Sequence, residues 1–387
     1  MDNYEYIAVT TLQGLEGVLE QELQELGAQN TRIQQRAVLV DYSQEMVYKI
    51  NMFSRTALRV LLPFAQFTAQ NTDELYDEAK KLNWEDFLAE DGTFIFDFSG
   101  KSDIFTHLHF ASLKIKDALC DKIKEVKGRR PSVDKLRPDL RFIIHFNEDQ
   151  IRISMDTSGQ SLHIRNTRSQ HNEAPLNEVL AAGMIRLSGW DVTTPFADFM
   201  CGTGTLVMEA YAYATKMAPC LHRSEYAFMR FKDFDTELYQ KLKVEARKRK
   251  VRLQTRIFAN DIDPKTIKVA LTNIETMGAI KDIEITRGDF NLMQAPVKRG
   301  TIIMNPPYGL RLGEDVSPLY EAIGTTLKNN FSGWTAWIIS GNNEAMKHIG
   351  LKTSTKIPLL NGNIECKFCK FEMFEGKHKD FKASINE

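Results

Sequence analysis

Cysteine is scarce: there are five in 387 residues, widely scattered. That excludes a disulfide framework and fits a reducing compartment, so a cytoplasmic location is expected. Charge of one sign is missing too, since 50 Lys and Arg face 51 Asp and Glu for a formal net charge of -1. Such a balance excludes a highly charged tail protein. It leaves a nucleic-acid partner open, because binding needs a basic face and not a basic average. No apolar run approaches the roughly 18 residues of a membrane-spanning helix. The opening MDNYEYIAVT has neither the basic start nor the apolar stretch of an export signal, so no membrane partner is expected. There is no internal repeat, no low-complexity tract and no Gly-rich lysine phosphate loop.

What remains is a folded chain too long for one ordinary core, which implies two or three domains. Residues 1–160 read as α+β. Tyr6 to Thr10 is strand-like, and Leu15, Val18, Leu19, Leu23 and Leu26 follow at helical spacing with Gly27 placed to end the helix. Further strands are expected at Ala37 to Val40, Thr93 to Phe98, Arg141 to Phe146 and Ile151 to Asp156. A long helix is expected to carry Phe105, Leu108, Ile115 and Leu119 on one stripe. From about Gln170 the rhythm changes. A helix over Ala174 to Leu187 precedes strand-like runs at Phe196–Met200, Arg256–Ile262, Ile283–Thr286, Thr301–Met304 and Trp334–Ser340, with helical patterns between most of them. That alternation predicts a parallel sheet covered on both faces. Two closing strands, Lys352–Leu360 and Ile364–Phe374, flank Asn361-Gly362-Asn363, a hairpin signal.

Chemistry gathers at the strand ends. DFMCGTGT, Asp198 to Thr205, follows a strand and opens a helix. Gly202 and Gly204 lack the Cβ atoms that would keep a ligand off the turn. A dinucleotide fingerprint would need a third glycine where Val207 stands, and a merely tight strand-to-helix turn explains the glycines as well. In FANDIDP, Asp261 ends the next strand, where a carboxylate accepts both hydroxyl protons of a ribose. Asp263 before Pro264 suits a helix cap. In ITRGDF, Asp289 ends the third strand and can meet an adenine amino group. Acidic strand ends in series suit a neutral nucleoside and would repel a pyrophosphate.

TIIMNPPYG ends the fourth strand. Two prolines stop pairing and hold the backbone extended. The turn exposes the Asn305 side-chain oxygen and the Pro306 carbonyl as acceptors, with Pro307 stiffening it and Tyr308 offering an aromatic face. Methylation of an exocyclic amino group requires this kind of corner. Its lone pair is delocalised into the ring, and acceptors on its hydrogens favour the developing cationic nitrogen in the transition state. No histidine general base is then required.

Asp198–Thr205, Asp261, Asp289 and Asn305–Tyr308 resemble motifs I to IV of class I S-adenosylmethionine-dependent methyltransferases acting on amino nitrogens. HIRNTRSQHNEAPLNEVLAA, RLSGW, MAPCLHR, NPPYGLRL and LNGNIECKF are similar to the bacterial 23S rRNA guanine-N2-methyltransferase family. GLEGVLEQELQELGA, LRVLLPFA, LKIKDAL and RPDLRFIIHF resemble that family's ferredoxin-like segment and THUMP RNA-binding domain. The resemblance covers nearly the whole chain. It implies a Rossmann-like α/β methyltransferase domain over 191–387, preceded by a ferredoxin-like segment over 1–60, a THUMP domain over 61–160 and a linker helix region over 161–190. It further implies that Asp198, Cys201, Gly202, Thr203, Gly204, Asp261, Ile262, Asp289, Phe290 and Asn305 bind S-adenosyl-L-methionine, with Pro175 near its methionine end. Asn305, Pro306, Pro307 and Tyr308 would act on the base. Some members carry a second methyltransferase domain after this one. The chain ends at Glu387 without it, so one methylation is expected.

Two stretches are locally basic. Lys122 to Arg141 hold eight Lys and Arg against three Asp and Glu, and Lys241 to Arg256 hold eight against one. Either fits an ordinary solvated face, but both also suit phosphate contacts. The RNA-binding candidates are Arg129, Arg130, Lys135, Arg137, Arg165, Arg168, Arg247 and Arg249. The expected partner is 23S rRNA or a large-subunit precursor, with no obligate protein partner implied. Cys366 and Cys369 stand three apart on a strand, hence on opposite faces, and no metal site is expected there. The reading is therefore a guanine-N2 methyltransferase of 23S rRNA. Its alternatives are a tRNA guanine-N2 enzyme, a DNA or RNA adenine-N6 enzyme, and an RNA-binding ribosome-assembly factor built on a methyltransferase scaffold.

Overall fold

The structure is a computed structural model that describes residues 4–89, 91–165, 176–309 and 315–374. It divides into two compact units. One holds Met1–Thr11, Glu20–Leu162 and Arg223–Lys243, and the other Leu12–Leu19, His163–His222 and Val244–Glu387.

In the first unit the chain runs β1 (Tyr6–Thr10), α1 (Glu16–Glu25), β2 (Arg32–Gln34), β3 (Ala37–Asp41), α2 (Gln44–Phe53), β4 (Arg59–Thr68), α3 (Thr72–Lys80), β5 (Thr93–Lys101), α4 (Leu108–Lys127), β6 (Ser132–Val133), β7 (Leu140–Asn147) and β8 (Gln150–Asp156). All eight strands form one mixed sheet in the order β2-β3-β1-β4-β8-β7-β5-β6. The boundary expected at residues 60 and 61 falls inside β4, which pairs with β1 on one side and β8 on the other. Pro63 sits in that strand because the register shifts between Pro63 and Ala65, an irregularity that relieves the missing N–H. Phe105 precedes α4, against the expectation that it lies on its stripe. It is nevertheless buried, with its ring 5.8 Å from that of Phe146.

Residues Arg223–Lys243 belong to this unit, although the sequence reading assigned 191–387 to one domain. The physical reason is a set of local anchors. The Arg223 guanidinium donates to the carbonyls of Ser158, Gln160 and Ser161 at 2.9–3.2 Å. Phe228 stacks on Tyr48 with centroids 4.3 Å apart, and its N–H reaches the Thr157 carbonyl at 3.0 Å.

In the second unit the chain runs α5 (Glu178–Ser188), β9 (Phe196–Asp198), α6 (Thr205–Ala214), α7 (Thr236–Arg249, whose last turns lie here), β10 (Ile257–Asp261), α8 (Pro264–Thr276), β11 (Ile283–Arg287), β12 (Gly300–Met304), α9 (Ser317–Asn330), β13 (Trp334–Ser340), α10 (Asn343–Lys347), β14 (Thr353–Asn361) and β15 (Ile364–Glu372). The sheet order is β11-β10-β9-β12-β13-β15-β14. β9 to β13 are parallel with their sheet neighbours among β9–β13, and the closing hairpin pairs antiparallel. This is the Rossmann-like arrangement expected. From β9 the chain builds outward to β11, then returns to place β12 on the other flank of β9. That reversal opens a crevice at the carboxyl ends. Central strands are apolar on both faces, as Ile302, Ile303, Ala336, Ile338 and Ile339 are all fully buried. Below the crevice Phe199, Phe290, Phe331 and Trp334 pack in one cluster.

α9 lies so close to the segment after α10 that a Cβ at Gly324 would stand 1.8 Å from the Ile349 carbonyl oxygen. Alanine in a helix interior normally stabilises by about 1 kcal/mol over glycine. Gly324→Ala is therefore expected to do the reverse, lowering the midpoint of urea unfolding by an amount equivalent to about 1–3 kcal/mol. A raised midpoint would contradict this packing.

Candidate active site

The loop between β9 and α6 is shaped by backbone requirements. Gly202 has φ 55° and Gly204 φ 88°, both left-handed. The loop is tied to β10, with the Gly202 N–H donating to Asp261 Oδ2 at 2.9 Å and the Cys201 N–H to the Asn260 carbonyl at 2.9 Å. Asp261 Oδ1 accepts the Asp263 N–H at 3.0 Å. Each carboxylate oxygen thus uses one lone-pair direction on the backbone and keeps another. Asp263 caps α8 through the Lys265 N–H at 3.0 Å and the Thr266 hydroxyl at 2.6 Å, and those bonds hold its carboxyl below the usual range. Asp289 follows β11 and accepts the Asn291 N–H at 2.9 Å.

One residue the sequence reading passed over joins these ends. Asn260 is buried, and its Nδ2 donates to the Gly288 carbonyl at 2.9 Å and the Phe199 carbonyl at 3.3 Å, while Oδ1 accepts from Thr286. It staples the ends of β9, β10 and β11 together. Nothing in FANDIDP distinguishes it, because its partners are backbone atoms distant in the chain.

A cleft of about 940 Å³ lies over these ends. Gly202, Asp261, Ile262, Asp289, Phe290, Asn305, Pro306, Pro307 and Tyr308 all line it, so one surface unites most of the expected site. Asp198, Cys201 and Thr203 are 1%, 6% and 7% exposed and, like Gly204, stand outside its lining. Asp198 therefore lies behind the lining, where it supports the loop expected to hold the cofactor. Its Oδ1 accepts the Met200 N–H at 3.1 Å, and burial, with the nearby Asp261 charge, holds its carboxyl well above the usual range. Cys201 is likewise pushed up by burial. Asn273 braces the same loop from below, donating to the Thr203 carbonyl at 3.2 Å. Met200, packed against the aromatic cluster, also lines the cleft. Thr266, Asn361, Gly362 and Ile364 also line it. The last three come from the closing hairpin, which only the sheet order brings to the site.

The Asn305–Tyr308 corner is held from several sides. The Tyr308 hydroxyl donates to Asn305 Oδ1 at 2.7 Å. Tyr320 donates to the Pro307 carbonyl at 3.2 Å and shares a 2.6 Å bond with Ser340, and burial pushes its phenol up to about 12. Asn342 Nδ2 donates to the Tyr308 carbonyl at 3.0 Å. Cys366 lies 3.7 Å from the Tyr308 hydroxyl, whereas Cys369 is buried in the cluster with Phe331 and Trp334. Among the described residues no group of three or more His, Cys, Asp or Glu is placed to hold a metal.

The basic candidates divide. Arg129 pairs with Asp91, Arg130 with Asp117 at 3.2 Å, and Arg137 with Glu225 at 3.0 Å, all in the first unit, where Lys135 is also exposed. In the second unit Arg247 is exposed, and Arg249 pairs with Glu245 at 2.6 Å. Such exposed pairs are weak. Arg165 requires correction. It is 3% exposed and paired with Glu209 at 3.2 Å, so its guanidinium is enclosed and does not reach a phosphate from the surface. Arg168 and Pro175 lie outside the described residues.

Comparison with known proteins adds three family matches: a ferredoxin-like domain model (RlmL) over residues 6–61, a THUMP domain over 69–156, and an RMKL-like methyltransferase domain over 165–370. The Synechocystis sp. protein slr0064, provisionally named an RNA methyltransferase, is 34% identical over 94% of this chain and 96% of its own length. The ribosomal RNA large subunit methyltransferase K/L of Pseudomonas paraeruginosa is 37% identical over 96% of this chain. The match spans 53% of that protein, so the chain covers about half the length of this relative. The crystal structure of SMU.472, provisionally described as a methyltransferase and complexed with SAH, superposes with a TM-score of 0.87 at 26% identity, covering 97% of this chain and all of that one. A Rossmann-like crevice with acidic strand ends and an Asn-Pro-Pro-Tyr corner, in a chain matched along nearly its full length, leads to one assignment: this chain belongs to the RMKL-like methyltransferase family.

Proposed function

We propose that this protein transfers the methyl group of S-adenosylmethionine to the N2 amino group of a guanine in 23S rRNA. The observation that carries this reading is a single cleft bearing Asp261 and Asp289 on one side and Asn305-Pro306-Pro307-Tyr308 on the other. The residues fit the cofactor. Asp261 keeps lone pairs for sugar hydroxyls, Asp289 offers an acceptor for an adenine amino group, and a Cβ at Gly202 would meet nothing within 4 Å. Bound there, S-adenosylmethionine would supply an electrophilic methyl group on a positively charged sulfur.

The chain's own part is orientation and electrostatics. Asn305 Oδ1, with one lone pair on Tyr308, has a second for an amino hydrogen, and the Pro306 carbonyl is a further acceptor. Acceptors fixed in advance favour the nitrogen as it becomes positive, without a proton acceptor of matched pKa. RNA as substrate draws on the THUMP match and on the names of the K/L relatives. Exposed Lys135, Arg137 and Arg247, with half-exposed Phe110 and Phe98, offer charge and stacking faces for single-stranded RNA.

Nucleoside analysis of 23S rRNA from deletion and complemented strains tests the reading. N2-methylguanosine restored at one position is expected, and N6-methyladenosine instead would replace it with the adenine alternative. Asn305→Ala is expected to lower kcat on the order of 100-fold or more while cofactor affinity, measured by calorimetry, holds. Asp261→Ala should weaken cofactor binding by about 1.5–3 kcal/mol, as for a lost hydrogen bond to a charged group. RNA affinity should fall steeply and linearly in log–log form with salt, and a flat profile would remove the phosphate contacts.

A further inference from the structure

The closing hairpin brings a polar side chain to the corner that no motif assigns a role. Asn361, the last residue of β14, lines the cleft, and its Nδ2 donates to the Tyr308 hydroxyl at 3.2 Å. The Cys366 thiol approaches the same oxygen at 3.7 Å. A phenol hydroxyl has one proton and two lone pairs. The Asn361 donor takes one lone pair and the Cys366 sulfur, which also lies 3.5 Å from the Ile364 carbonyl oxygen, faces the other, so the phenol proton goes to Asn305 Oδ1 at 2.7 Å. The Asn305 carboxamide then has only one favourable orientation, because its flipped form would set an N–H against the phenol proton. The rest of the surround keeps the phenol in place. Asn342 holds the Tyr308 carbonyl, and Tyr320, braced on Ser340, holds that of Pro307.

We infer that Asn361 is a positioning residue: by donating to Tyr308 it sets the direction of a relay, Asn361 to Tyr308 to Asn305, that keeps the Asn305 oxygen available to the acceptor amino group. The inference rests on the proposed amino-group methylation and names a residue that serves it without touching the reacting atoms.

The relay has a direction, and a near-isosteric change reverses it. In Asn361→Asp the introduced carboxylate can only accept. It draws the phenol proton to itself in a charge-assisted bond and offers Asn305 a lone pair, which favours the flipped amide. In Asn361→Ala the phenol loses a donor but still bonds Asn305. The conservative variant is therefore expected to be the worse one. Asn361→Asp should lower kcat on the order of 100-fold, comparable to losing one transition-state hydrogen bond. Asn361→Ala should lower it by about tenfold or less, as for one neutral hydrogen bond. Cofactor affinity and the thermal midpoint should be unchanged in both. In a Tyr308→Phe background the two substitutions should become equivalent. A purely structural asparagine would make loss follow size and stability, and an Asp variant as active as wild type, or an Ala variant worse than Asp, overturns the relay. A readout without turnover separates this from failure of the methylation reading. The 15N side-chain amide resonances of Asn305, assigned by their loss in Asn305→Ala, should move in Asn361→Asp and in Tyr308→Phe. If guanine is not methylated but these resonances move, the proposed function fails and the relay stands. If they stay fixed, the relay falls whatever the substrate.

Discussion

The reversal of strand order beside β9 is the constraint on which the site depends. Because β10 and β12 flank β9 while the chain leaves them in opposite directions, no crossover covers the carboxyl ends between them. Most of the cleft comes from the ends of these strands: Phe199–Gly204 after β9, Asp261 at the end of β10 with Ile262 beyond it, Asp289 after β11 and Asn305–Tyr308 after β12, completed by Asn361 and Gly362 of the closing hairpin. The sheet itself is buried on both faces, so these loops rest on a stiff platform. Phe199 and Phe290 each have one face in the aromatic cluster and a place in the cleft lining, which links core packing directly to the site.

Within that crevice the acids play two different parts. Asp261 takes a backbone N–H on each oxygen and still faces the cleft, so its charge is supported and usable. Asp198, one strand away and enclosed, is pushed toward its neutral form by burial and by Asp261. Burial and a nearby carboxylate both oppose ionisation of an enclosed acid, so a second full negative charge at Asp198 is disfavoured. The cleft then presents limited negative charge, which suits a ligand that is a nucleoside bearing a positive sulfur.

Much of this was legible in the sequence. Strands β9, β10, β12 and β13 stood out as mostly apolar runs, since strands buried on both faces need apolar residues throughout, and β13 ran from Trp334 to Ser340 as expected. The strand-end acids and the Asn-Pro-Pro-Tyr corner were visible because their spacing to those runs is local. Three features were not legible. Asn260 acts through backbone atoms of strands distant in sequence. Asn361 reaches Tyr308 only because β15 pairs with β13 and carries β14 with it. Arg165 looked like any basic residue in a polar stretch, since its partner Glu209 lies on the next helix but one in the chain order. The shared eight-stranded sheet of the first unit was hidden for a similar reason. β4 is not among the strands expected from the sequence, and only its two pairings reveal that it joins two sheet halves.

A near-neutral chain proposed to act on RNA raises a question of selectivity that bears on the surface pairs. Arg129, Arg130 and Arg137 each hold a carboxylate on the folded surface. Exposed pairs of this kind contribute about 0–1 kcal/mol, whereas a phosphate contact also gains from counterion release along the nucleic acid. The cations are thus already positioned at little energetic depth, and exchange of partner costs little. On the proposed reading, discrimination falls to shape and to the cleft, where the acceptor corner would reward an amino group and disfavour a base edge that presents only lone pairs to Asn305 and Pro306.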